Sequence, residues 1–255
     1  MLKITVTPQL DFQQLNKEIR ESPEKHIKIT GAIGQRYIGS GLSGRRIDIE
    51  GTPGNALGAY LDGSTIDVEG NVQDATGDTM NSGEIIVHGN AGDATGYAMR
   101  GGAIYIRGNT GYRAGIHMKA YKAQQPAVII GGKAGSFLGE YQAGGIIIVF
   151  GLEPPASING KVTKGAPVDR SLTGYFVGTG MHGGAIYLRI DKKPDLPKQI
   201  KVEMIKGSAI AQIKPYINKF CEYFNDVNKE EILNSLFAVL TPDSNNPYKQ
   251  LYTSN

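Results

Sequence analysis

The sequence holds 255 residues, 40% of them hydrophobic and 20% charged, with a formal net charge of +3. Acidic and basic residues are intermixed, which leaves no basic footprint for nucleic acid and no polybasic anchor for a membrane. No apolar run reaches the roughly 18 residues of a membrane-spanning helix and no signal-peptide pattern occurs, so a cytoplasmic location is expected. Cys221 is the single cysteine, which excludes an intrachain disulfide and a cluster held by several thiolates.

In chain order, Leu2–Val6 reads as a short strand, and Asp11 to about Glu21 as a helix with Phe12, Leu15 and Ile19 on one face. From Ile33 to Gly108 the chain then repeats every 19 residues without a gap: IGQRYIGSGLSGRRIDIEG, TPGNALGAYLDGSTIDVEG, NVQDATGDTMNSGEIIVHG, NAGDATGYAMRGGAIYIRG. A fixed short period marks a repeat architecture. The seventh position is Gly39, Gly58, Gly77 and Gly96, and the last is Gly51, Gly70, Gly89 and Gly108. Glycine at fixed offsets suits corners of positive φ, or places where backbones stack too closely for a Cβ. Alternating apolar residues (Ile47 and Ile49, Ile66 and Val68, Ile85 and Val87, Ile104 and Ile106) give the period of a strand with one buried face. Leu42, Leu61, Met80 and Met99 form a second inward column at the tenth position. No copy has the 3.6-residue apolar period of a helical solenoid, so the repeats read as coils of a parallel β-helix.

The pattern continues with insertions. Residues 109–132 keep Gly115, Met118 and the strand Val128–Ile130, but carry five extra residues near Ala120–Gln125. Residues 133–151 return to 19, with Gly139, Ile147 and Val149 in place. Leu152–Ser171 breaks the register with Pro154, Pro155 and Pro167, and a last coil follows at Leu172–Ile190 with Gly178. The fold class expected is therefore all-β: a single-stranded right-handed parallel β-helix of about seven turns over residues 33–190. At about 4.8 Å per layer it would be a rod on the order of 30 Å long. Residues 1–32 and 191–255 are expected to be small α-containing caps. The latter comprise a charged linker (Asp191–Lys198), a strand, helices near Pro215–Phe224 and Lys229–Leu240, and a turn-rich tail. The ends and the two insertions, near residues 120–125 and 152–171, are where partners are expected to dock.

Several apparent motifs dissolve into this register. GSGLSG (Gly39–Gly44) and GTGMHG (Gly178–Gly183) spell G-x-G-x-x-G, but each leads into a strand, whereas a dinucleotide fingerprint must open a helix. The seven glycines Gly39, Gly58, Gly77, Gly96, Gly115, Gly139 and Gly178 are read as structural corners; no catalytic, cofactor or metal residue is assigned. His26, His88, His117 and His182 are dispersed and read as surface or interface residues. Asp48 and Asp67 share the outward sixteenth position as a short acidic ladder on a solvated face, and Tyr105 and Tyr187 at that position are expected to pack on a neighbouring subunit. Cys221 is expected on the buried face of the first C-terminal helix.

The stretches GYAMRGGAIYIRGNTGYRAGIHM, GSFLGEYQAGGIIIVFG and YFVGTGMHGGAIYLR resemble the C-terminal β-helix domain of the glutamate synthase large subunit, the G-X-G-X-G domain. The tail, with FCEYF, an EEIL helix and TPDSNNPY, is similar to the stand-alone, archaeal-type form of that domain. The resemblance covers roughly residues 33–190 and implies a structural subunit of an amidotransferase complex. In such a complex, glutamine hydrolysis, ammonia channelling and reductive amination of 2-oxoglutarate take place on other polypeptides. FMN and an iron–sulfur cluster are expected on the glutaminase and synthase partners and not on this chain, which matches none of their site residues. The β-helix component of the formylmethanofuran dehydrogenase complex is similar to the same repeats; the tail and the GIHM and LGEY segments favour the glutamate synthase side. A hexapeptide-type transferase is a third reading, opposed by a period that is not a multiple of six. A homo-oligomer is compatible with all three.

Overall fold

The computed structural model describes residues 1–153 and 172–243. Most of the second insertion and the end of the tail, both expected to be docking segments, lie outside the described residues. The elements are β1 (Leu2–Thr5), α1 (Phe12–Glu21), β2 (His26–Ile33), β3 (Arg46–Thr52), β4 (Asp62–Glu69), β5 (Ser82–Val87), β6 (Ala103–Ile106), β7 (Ala127–Ile130), β8 (Ala143–Val149) and β9 (Gly183–Arg189). β10 (Ile200–Ile205), a 3-10 turn at Gly207–Ile210, α2 (Lys214–Tyr223), α3 (Lys229–Leu233) and β11 (Phe237–Pro242) complete them. All eleven strands join one open sheet, in the order β1 to β9 and then β11 and β10. Pairing is parallel from β1 through β9 and antiparallel where β11 joins β9 and β10.

The repeat period sets the register. Ile47 faces Ile66, Ile66 faces Ile85 and Ile85 faces Ile104, so like residues stack into columns. Ile104 then faces Val128 and Val128 faces Ile147, because the five extra residues are taken up outside the strands, where Tyr121 pairs with Gln124. These residues, their partners two positions on, and the tenth-position column Leu42, Leu61, Met80, Met99 and Met118 are buried in the main core. Both inward columns are where the sequence pattern places them.

Between strands, successive turns are tied to one another. The amides of Gly58, Gly77, Gly96 and Gly115 donate to the carbonyls of Ile38, Leu57, Thr76 and Thr95, each at 2.8 Å. Side chains repeat the device at the corners. The Oδ1 atoms of Asn71, Asn90 and Asn109 accept from the amides of Asn90, Asn109 and Lys133 at 2.8, 2.8 and 2.7 Å. Such ladders supply partners for backbone donors that the short strands leave over.

At the start, Asp11 caps α1 by accepting from the Gln14 amide, and Leu15 and Ile19 are buried in the main core. Asn16 Nδ2 donates to the carbonyls of Phe12 and Arg36, and Arg45 donates to the Ile19 carbonyl at 2.6 Å, which fastens α1 over the first turn.

The C-terminal region departs from expectation in two ways. The helix expected to run to Leu240 stops at Leu233, and Phe237–Pro242 forms β11. Phe-Ala-Val-Leu is a short apolar run that suits either state; here it bonds to β9 on one side and β10 on the other. Secondly, α2, α3 and the 3-10 turn lie against the outer face of the sheet. Their Ile210, Ile213, Ile217, Phe220, Phe224 and Ile232 form a second buried core with Ile86, Tyr105, Ile129, Ile148, Phe150 and Tyr187 of the strands. Tyr105 and Tyr187 are thus covered by their own chain rather than by a neighbouring subunit. Complete burial of Ile213, Ile217 and Phe220 contributes roughly 1.5–3 kcal/mol for each.

Candidate interaction surface

The seven corner glycines do structural work. All have φ between 63° and 73°. A Cβ on Gly58 would stand 2.7 Å from the Ile85 Cδ1 atom, and one on Gly139 2.7 Å from the Ile186 Cδ1 atom. From Gly39 to Gly139 each glycine of the column faces an apolar strand residue of the next layer in the same way, and Gly178 faces Ile200 of β10. The G-x-G-x-x-G spellings lead into β3 and β9, and Gly180 seats the ring of Tyr141.

The outer face changes character along one column. Cross-strand partners run Lys28, Asp48, Asp67, Ile86, Tyr105, Ile129, Ile148, Tyr187. The charged members lie on β2 to β4, and the apolar members lie beneath the C-terminal helices. The acidic ladder is ion-paired: His26 Nε2 is 2.6 Å from Asp48 Oδ2, and Arg46 reaches Asp48 Oδ1 at 2.8 Å and Asp67 Oδ2 at 2.9 Å. His88 Nε2 lies 3.1 Å from Asp67 Oδ1 and 3.6 Å from Glu69 Oε1, and its ring is edge-on to Phe224. The hydrogen bond to Asp67 holds the His88 pKa above its ordinary value against the effect of burial. Burial opposes the charge of Asp67, but His88 and Arg46 outweigh it and keep that carboxyl below the usual range. Two of the four dispersed histidines are therefore gathered onto the ladder; His117 and His182 are not.

The C-terminal layer is clasped to the sheet by polar contacts at its rim. Arg107, whose side chain is 9% exposed, meets Asp226 at 2.7 Å, and Tyr223 donates to Glu84 at 2.6 Å. Arg189 pairs with Glu231 and Ser235, and the Tyr187 hydroxyl donates to Gln212 at 2.9 Å. Cys221 is half-buried beside the second core, and burial pushes its thiol pKa up.

An aromatic ridge follows the turns of the later layers. Phe137 and Phe176 stack at 5.0 Å with the Arg113 guanidinium 4.6 Å over Phe137, and Tyr175 adjoins Phe176. In a parallel column His117 stacks on Tyr141 at 5.2 Å and meets the edge of Tyr97. Tyr175 is 79% exposed, Phe176 62% and Tyr112 54%. Contiguous exposed aromatics of this kind mark interaction surfaces on soluble proteins. Sequence reading looked for docking at the ends and in the insertions and did not single out the ridge. Its signal was present in the aromatic residues that recur at the fourth, fifth and ninth positions of the later copies.

Two comparisons bear on identity. The family model described as the GXGXG motif matches residues 15–242. A curated relative from Methanocaldococcus jannaschii, described as an uncharacterized protein, is 43% identical over 256 residues, covering 96% of this chain and 94% of its own length.

Proposed function

The chain belongs to the GXGXG motif family, and from that premise we propose that it is a non-catalytic scaffold subunit of a glutamate synthase-like amidotransferase complex. In this reading the sheet layers wind as a right-handed, single-stranded parallel β-helix of about seven turns, with residues 1–32 and 191–255 appended. It holds a glutaminase and a flavin-dependent synthase polypeptide in register in the cytoplasm and lines part of an ammonia passage. FMN and the iron–sulfur cluster reside on the partners.

The observation that carries the reading is the ridge of exposed Tyr112, Tyr175 and Phe176 with half-buried Phe137 stacked on Phe176, built on turns whose glycines are already committed to packing. A layered body with an exposed aromatic edge is suited to docking other polypeptides, not to cradling a nucleotide. The test is affinity purification of the tagged chain from its native host, with identification of what co-purifies and an absorption spectrum of the chain alone. A glutaminase and a flavin/iron–sulfur synthase are expected. A pterin-metal subunit instead would shift the assignment to the formylmethanofuran dehydrogenase-like complex. A flavin spectrum from the isolated chain would contradict the placement of the cofactor on its partners.

A further inference from the structure

Glu69 and His88 stand side by side at the ends of β4 and β5, one step beyond the pair Val68–Val87, and Asp67 lies one pleat back on the same outer face. The donor atoms of these three residues all fall within 4.8 Å of one another, and among the described residues they are the group of histidine and acidic side chains that converges in this way. Tetrahedral zinc, with bonds near 2.0–2.1 Å, sets its ligand atoms roughly 3.3–3.4 Å apart. The His88–Asp67 and His88–Glu69 separations of 3.1 and 3.6 Å bracket that spacing.

We propose that Asp67, Glu69 and His88 form a binding site for a divalent cation of the zinc class, bridging β4 and β5 beside the C-terminal layer. One imidazole and two carboxylates are a donor set that zinc and cobalt(II) accept, with the remaining coordination positions open to water. The surroundings fix the donors. Phe224 stands edge-on to the His88 ring at 5.2 Å, which sets the imidazole plane. Arg46 holds Asp67 by Oδ2 at 2.9 Å and leaves Oδ1 toward His88, the kind of outer contact that orients a ligand carboxylate. Asp48 and Asp226 stand close by, so carboxylates outnumber the guanidiniums of Arg46 and Arg107 around the site.

The test uses the full chain, stripped with a chelator and titrated with zinc chloride by calorimetry and with cobalt(II) by visible absorption. The expected result is one ion per chain, with affinity lowered at least tenfold in His88→Ala and in Glu69→Gln, a loss of the size that disturbed metal shells give. Glu69 is 67% exposed, so Glu69→Gln should leave the metal-free melting temperature unchanged and report on binding alone. The absence of saturable binding, or binding that neither variant weakens, overturns the proposal. Because the measurement is made on the isolated chain, a negative result leaves the scaffold reading untouched.

Discussion

The seventh-position glycines combine a left-handed backbone with a neighbour that a Cβ would meet, whereas Gly41, equally left-handed, has open space there. The fifth position, from Ala56 and Ala75 to Phe137 and Phe176, holds φ between 53° and 62° without glycine, and at the ninth Tyr60, Ala98 and His117 hold φ between 50° and 57° where the first and last copies have Gly41 and Gly180. Turn-to-turn bonds hold the backbone there; the Ala94 amide, for example, donates to the Tyr112 carbonyl at 2.8 Å. Each such residue costs about 1–2 kcal/mol relative to its ordinary conformation. Gly58→Ala is therefore expected to destabilise by about 2–4 kcal/mol, combining strain at positive φ with a clash against Ile85. Ala94→Gly, at φ 53°, is expected to be neutral or to stabilise by up to about 1 kcal/mol. Urea melts of the two variants check both signs. The glycine column could be read from the repeats, whereas the left-handed alanines and aromatics could not, because nothing in their side chains announces that conformation. Gln142 carries a second lesson at this scale. It takes the tenth position, in line with Met118, yet is fully buried, and its amide donates to the carbonyls of Gly144 and Gly145 at 3.2 and 3.1 Å. Those glycines lie where the β8–β9 register shifts between Ala143 and Ile146. Gln142→Met restores the apolar column but strips two buried acceptors of this donor, and a loss of about 1–3 kcal/mol in the same melts is expected.

At the scale of elements, the C-terminal layer is what the repeat pattern announces only indirectly. The strands from β3 to β9 were legible because their period of two recurs in every copy. The helical layer on their outer face was not, since the repeats themselves hold no helix. Its trace was the sixteenth position, which turns from Asp48 and Asp67 to Ile86, Tyr105, Ile129, Ile148 and Tyr187. An apolar outward column requires a cover, and read in that light it points to the chain's own helices as readily as to a neighbour. The rim contact between Arg107 and Asp226 gives the layer a pH dependence. The Arg107 hydrogen bond, acting against burial, holds the Asp226 carboxyl below its ordinary range. A lowered folded-state pKa stabilises above the unfolded value of about 3.9, and that contribution is lost as pH falls through the folded value. Asp226 is 48% exposed, so solvent screening reduces the effect, while Arg107 loses its carboxylate partner in a nearly buried setting. Asp226→Asn is expected to cost about 1–2 kcal/mol at neutral pH and to flatten the acid limb of the stability curve. A variant whose stability falls with acid as steeply as the parent's would remove this contact from the account.

For the whole molecule, the architecture separates what is repeated from what is not. Inward isoleucines, corner glycines and asparagine ladders recur layer after layer and hold the sheet together. The aromatic ridge, the charged outer face of β2 to β4 and the clasped C-terminal layer interrupt the repetition, and these give the body its distinct surfaces. The central proposal is that the ridge seats partner polypeptides. Its most direct test is native mass spectrometry of the chain co-expressed with the host's glutaminase and flavin-dependent synthase polypeptides, comparing the parent with the double substitution Tyr175→Asp and Phe176→Asp. Both residues are more than half exposed, so the variant should fold with an unchanged circular dichroism spectrum. The account predicts a stoichiometric complex for the parent and its loss in the variant. A folded variant that assembles as well as the parent, or a parent that assembles with neither polypeptide, would contradict it.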